Sequence, residues 1–113
     1  MDEKALKSLY DIKLSIDEID SYFDDRQKSY QEYKHDIMLR RAIERNLEII
    51  GEAMNRILKE DPEFTIGNAR RIVGLRNQII HGYDSISDES IWGIVINHLP
   101  KLKVEISILI KEE

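Results

Sequence analysis

An all-α fold is predicted for this chain by three features of its sequence. Its 113 residues include only 5 Gly and 2 Pro, too few turn residues for a β-rich chain. Hydrophobic residues make up 42% and charged residues 35%, a balance suited to long amphipathic helices. The apolar residues also recur at three- and four-residue steps over most of the length, the period of a helix with one buried stripe. The length suits a single domain, residues 1–113, with one core. Neither an internal repeat nor a low-complexity tract interrupts it.

Leu6, Leu9, Ile12, Ile16, Ile19 and Phe23 share one stripe and predict a first helix from about Asp2 to Asp25. Residues 26–34 have mixed polarity and no clear period. A second long stripe, Ile37, Leu39, Ile43, Leu47, Ile50, Met54, Ile57 and Leu58, ends before Pro62. Between the DPEFT stretch and Gly82, Ile72, Val73, Leu75, Ile79 and Ile80 predict a shorter third helix. Gly82 suits its C-cap because glycine adopts positive φ freely. Asp88 and Glu89 then suit the N-terminus of a fourth helix, where they meet the positive end of its dipole. Its stripe continues through Ile91, Ile94, Val95, Leu99, Leu102, Ile106 and Leu109 past Pro100. That proline lacks an amide hydrogen and its ring meets the carbonyl of Ile96, so a kink or break is expected near Leu99. Gly51 and Gly74 lie inside predicted helices, where each costs about 1 kcal/mol relative to Ala; close helix–helix approach is the expected compensation.

Charge is unevenly spread. The net charge of -5 argues at first against nucleic acid, since phosphate binding relies on Lys and Arg. Residues 1–26, however, hold eight acids against four bases, and residues 65–83 contain Arg70, Arg71 and Arg76 with no Asp or Glu. The third predicted helix is therefore locally basic. With no cysteine, disulfides, zinc–thiolate sites and cysteine nucleophiles are excluded. The charged start MDEKALK leads into no unbroken apolar run, so neither a signal peptide nor a membrane span is expected, and a cytoplasmic location is.

The stretch RNQIIHGYD, residues 76–84, concentrates chemistry at the end of the third helix. On spacing alone, Arg76 fits a solvated or ion-paired helix residue, His81 a favourable cation at a helix C-terminus, and Tyr83 a turn aromatic covering the core. The same residue types fit cleavage of RNA by its own 2'-hydroxyl. That reaction needs a base for the 2' proton, an acid for the leaving 5'-oxygen and positive charge on the pentacoordinate phosphate. Histidine supplies either proton-transfer role near neutrality, and arginine a permanently charged fork matched to phosphate oxygens. At about 100° per residue, Arg76 and His81 leave a straight helix about 140° apart. Either the helix end bends or two chains pair. Asn77, four residues before His81 and on its face, can orient His81 or the phosphate, or simply cap the helix end.

RNQIIHGY resembles the R-x(4-6)-H-x-Y signature of the HEPN (higher eukaryotes and prokaryotes nucleotide-binding) superfamily, specifically its HepT-like toxin branch. RAIERNLEIIGEAMNRI, residues 41–57, is similar to the second helix of that branch, and IWGIVINHLPKLKVEI to its final helical region. The resemblance implies a compact up-and-down bundle of four to five helices that forms a homodimer, with two R-x4-H motifs at the rim of a shared cleft. It also implies a metal-independent ribonuclease with no cofactor and RNA as substrate. The partner implied is a cognate minimal nucleotidyltransferase acting as antitoxin. By residue match, Arg76 and His81 take the catalytic positions, Asn77 the adjacent polar position, and Tyr83 the position that such antitoxins modify with AMP. A different function class stays open beside this one, a non-catalytic dimeric helper that presents nucleotide or substrate to a nucleotidyltransferase.

Other residues carry less. His35 and His98 are expected at the surface or on helix flanks, with no spacing that suits a metal. Arg40, Arg41 and Arg45 are expected on a solvated face, salt-bridged to Glu44 and Glu48. Trp92 is expected to anchor a core or an interface.

Overall fold

Five helical regions and no strand are found among the described residues of the computed structural model, which are 2–24, 26–64, 66–67, 69–81 and 87–111, with backbone alone at 69 and 70. They are α1 (Glu3–Ser21), α2 (Tyr30–His35), α3 (Ile37–Glu60), α4 (Ala69–His81) and a last region, 88–111. That last region runs without a break through α5 (Asp88–Gly93), a π-helical turn (Ile94–His98) and α6 (Leu99–Lys111). The all-α bundle expected from the apolar stripes is the fold observed. Its Cα radius of gyration is 13.9 Å, close to the roughly 13 Å of a compact chain this long.

Each stripe is buried over most of its length, although Ile37, at the start of the second, is exposed. Leu9, Ile12, Ile16 and Ile19 of α1 pack on Ile43, Leu47, Ile50, Met54 and Ile57 of α3, and Leu99, Leu102 and Ile106 close the same core from the last region. A fully buried Leu or Ile contributes roughly 1.5–3 kcal/mol. Two polar networks fix how α1 lies in the bundle. Buried Asn46 accepts a hydrogen bond from Tyr22 Oη at 2.5 Å and donates to Glu18 at 3.0 Å, joining α3 to α1. On the opposite flank, Lys103 of α6 pairs with Asp17 and Asp20. Burial alone would raise these two carboxyls, but the ammonium groups of Lys13, Lys28 and Lys103 outweigh it and hold both below their ordinary value.

The first helix is shorter than expected. It starts at the Asp2 cap, whose side chain accepts from the Ala5 amide at 2.7 Å, and ends at Ser21. Asp24 takes a positive φ of 50°, which stops the helix, and Arg26 folds back to donate to the exposed carbonyls of Tyr22 and Phe23. Asp25 lies outside the described residues. The stretch without a period contains α2, capped by Ser29, whose hydroxyl accepts from the Glu32 amide. It brings Tyr30 and Tyr33 onto Trp92, which also meets Phe23 edge-on at 5.9 Å. Trp92 is thus a core anchor. Burial above all, with the carboxylates of Asp88 and Glu44, pushes the Tyr33 phenol up to about 12.

Pro100 interrupts the last region without breaking it. The Leu99 amide reaches back five residues to the Ile94 carbonyl, the wide spacing of a π turn. Widening the helix just before the proline makes room where its ring would meet the preceding turn. The same turn carries His98, which is half-buried rather than on the surface.

Candidate active site

The basic helix is positioned at its start by Gly67, whose amide donates to Glu105 of α6 at 2.9 Å, and by Ile66, which is buried in the core. Ile72, Leu75 and Ile79 then seat α4 on the bundle. Arg76 projects on the side facing α3. There Gly51 supplies the space. A Cβ built on Gly51 would strike the Cβ of Arg76 and lie 2.9 Å from its Cγ and 3.2 Å from the Ile72 carbonyl. The expected close approach at Gly51 is therefore real, and what it accommodates is the stem of Arg76. Gly74, for which the same compensation was expected, meets nothing within 4 Å. It is exposed, so close approach within this chain does not account for it.

The head of Arg76 is held by its sequence neighbour. Its Nη1 donates to Asn77 Oδ1 at 2.8 Å, while its Nε is buried without a partner among the described residues. Asn77 thus engages the arginine directly, although its azimuth had matched that of His81. His81 is exposed and is the last residue of α4. Since α4 is regular up to His81, the two side chains diverge by about 140°. Of the two ways to bring them together, a bend of the helix end beyond His81 falls outside the described residues. Gly82 and Tyr83 lie outside the described residues, so the expected C-cap and the expected modification site are not described.

The arginines divide by helix. Arg26 pairs with Glu32, Arg40 with Asp88, Arg41 with Glu44, Arg45 with Glu48 and Glu52, and Arg56 with Asp11. Arg71 and Arg76, both on α4, have no carboxylate partner among the described residues. A guanidinium without an internal counterion is one that an external anion can use. Sequence reasoning found the charge of this helix but missed Gly51 as its support. The only signal for that was a glycine inside a helical stripe. Among the described residues, no three His, Asp or Glu side chains gather as metal ligands would, and no helix is long and apolar enough to cross a membrane.

Comparison with known proteins adds a family pattern. The family described as "Ribonuclease HepT-like" matches residues 12–109. "Putative RNase MJ1380" of Methanocaldococcus jannaschii is 37% identical over 112 residues, which cover 96% of this chain and 100% of that protein. "Putative RNase TTE0752" of Caldanaerobacter subterraneus subsp. tengcongensis is 31% identical over 86 residues, 75% of this chain and 77% of its own. "Putative RNase MJ0127" of M. jannaschii is 34% identical over 109 residues, 92% and 85% of the two chains. No solved structure matches significantly.

Proposed function

This chain belongs to the HepT-like ribonuclease family, and from that premise we propose that it is a metal-independent endoribonuclease toxin, active as a homodimer, with Arg76 and His81 as catalytic residues. The observation that carries this reading is the uncompensated charge of Arg76, wedged against Gly51 and steadied by Asn77 on a helix that ends in an exposed histidine. With α4 helical through His81, pairing of two chains is a way to aim both groups at one phosphate.

In the reaction, the 2'-oxygen attacks phosphorus as its proton passes to one His81. The P–O5' bond breaks and the other His81, as imidazolium, protonates the departing 5'-oxygen. Arg76 stabilises the charge that builds on the phosphoryl oxygens. The products are a 2',3'-cyclic phosphate and a 5'-hydroxyl, and the dimer supplies base and acid together. Control falls to Tyr83, two residues beyond His81. AMP attached there by a cognate minimal nucleotidyltransferase would occupy the phosphate position and set negative charge against Arg76.

The test is cleavage of single-stranded RNA by the purified chain in EDTA, with analysis of the product ends. Cyclic phosphate ends and complete loss in His81→Gln are expected. Ends bearing 5'-phosphate, or activity lost to chelator and restored by magnesium, would overturn the mechanism. RNA binding by a wild type that never cleaves would favour the non-catalytic helper instead. For Tyr83, coexpression with a cognate minimal nucleotidyltransferase should add the mass of AMP to wild type and not to Tyr83→Phe; the same addition in both would exclude this residue.

A further inference from the structure

On the flank of α4 away from Arg76, a groove of about 350 Å³ separates α4 from the π-helical turn. We propose that this groove is a nucleotide subsite, seating one ribonucleotide of the RNA chain next to the scissile phosphate. Arg71 takes its phosphate, and Gln78, Asn97 and His98 face its base. The inference rests on the ribonuclease reading above and extends it to substrate binding.

Four observations converge here. First, the groove's volume lies in the range of sites that enclose a small ligand. Second, its lining combines an apolar floor, Leu75 and Ile94, with the polar groups just named, and includes no carboxylate. Carboxamides offer a donor and an acceptor side by side, the pattern needed to meet a base edge, and unpaired RNA is read through such edges. Third, Arg71 is one of the two arginines whose charge has no internal counterion among the described residues. Fourth, His98 lines the groove, and its buried Nδ1 has no hydrogen-bond partner among the described residues, so no internal bond holds that side of the ring in place. The π turn is what brings Asn97 and His98 to this wall, and such turns recur where helices carry function.

The direction of the groove ties it to the reaction. Arg71 and Gln78 are seven residues apart, about 10 Å along the helix, and His81 follows Gln78 by about 4.5 Å. Positions three apart are neighbours on one helix face. A nucleotide lying between Arg71 and Gln78 therefore presents its next phosphodiester to His81.

Gly93 gives the sharpest test. It lines the groove, and a Cβ built on it meets nothing within 4 Å. Gly93→Leu should therefore fill the groove while leaving the fold intact. Cleavage of a mixed-sequence single-stranded RNA should show KM raised about tenfold in Gly93→Leu and in Arg71→Ala, the effect of losing one charged contact, with kcat within about threefold. A dinucleotide places its first nucleoside in the groove but carries no 5'-phosphate for Arg71, so its KM should rise in Gly93→Leu and hold in Arg71→Ala. Arg71→Ala should also make binding less dependent on salt, by a log–log slope of about 0.7. Wild type that cleaves the mixed-sequence RNA while both variants keep its KM, or a dinucleotide KM that rises equally in both variants, would overturn the subsite. If wild type cleaves neither substrate, the ribonuclease reading fails. Fluorescence anisotropy with labelled single-stranded RNA then decides the groove: weaker binding in both variants supports it, and unchanged binding overturns it.

Discussion

The arginines of α3 and those of α4 are the same residue in opposite circumstances. Arg40, Arg41 and Arg45 each point at a carboxylate, on α3 itself or on α5. Arg71 and Arg76 stand on a helix with no acid in its sequence, and no described carboxylate reaches them. A paired guanidinium spends its charge inside the molecule and adds at most a little stability when exposed. An unpaired one adds nothing to the fold and is available to an anion. The count of arginines therefore says little about nucleic-acid binding, and the count of unanswered arginines says more. It also explains how a chain of net charge -5 can be read as acting on RNA: its acids lie outside the helix that carries the two unanswered arginines.

The widest contrast is expected at Arg76. Arg76→Ala should lower kcat by about 10²–10³-fold, the cost of removing one preorganised charge donor, while thermal unfolding shifts little. Equal loss of both would make Arg76 a structural residue after all. Next comes Gly51→Ala, which leaves the charge in place and moves it. The added methyl meets the stem of Arg76, and a displacement near 1 Å can cost about 10²-fold in rate. Stability should change less, since overpacking by about 1–3 kcal/mol is offset by about 1 kcal/mol of helix propensity. Unaltered turnover in a folded Gly51→Ala protein would show that the position of Arg76 is not critical.

On α3 the pattern should reverse. Arg40→Ala removes a half-buried pair that ties α3 to the start of α5, 2.8 Å from Asp88. Chemical denaturation should register a loss of about 1–2 kcal/mol, with kcat and KM unchanged. The double change Arg41→Ala with Arg45→Ala should cost under about 1 kcal/mol in total, because both pairs are exposed and of i,i+3 type. A large loss of RNA affinity in this double variant would erase the distinction between the two helices.

The smallest effect belongs to the paired charges of α1 and α6. Asp17 and Asp20 titrate below their unfolded value of 3.8. Their contribution is thus present above that value and lost as pH falls through the folded one. Both are over a third exposed, so after solvent screening the effect is about 0.5 kcal/mol. Urea midpoints of wild type and Lys103→Ala should stay apart above pH 3.8 and converge as the pH falls below it. A gap that widens instead would reverse the sign argued for these carboxyls.

What the sequence made legible follows from what is local. Stripes at a 3.6 period identify α1, α3, α4 and the last region because most members of a stripe face the same core. Helix α2 has only Tyr33 fully buried, too little for a period. Its signal was instead the Ser29-x-x-Glu32 capping pattern, which a search for apolar spacing passes over. The early end of α1 depends on the backbone of Asp24, which no side-chain pattern announces. At the site, Arg76 and His81 could be named from one short string. The role of Gly51 could not, because its neighbour in space is remote in sequence. The groove was hidden for a related reason: Asn97 and His98 reach it through a π turn, whose phase departs from the helical wheel used to read the stripe.

The fit of Arg76 against Gly51 also bears on how relatives of this chain can be read. Two positions on different helices share one volume, so the size of one residue and the identity of the other form a single unit of inheritance. A lineage that keeps the arginine has to keep position 51 empty. One that abandons the arginine is released to place alanine, serine or a larger side chain there and gain the helix stability that glycine forgoes. Sorting relatives by position 51 alone should therefore separate those with the charge in working position from those that retain only the shape of the bundle.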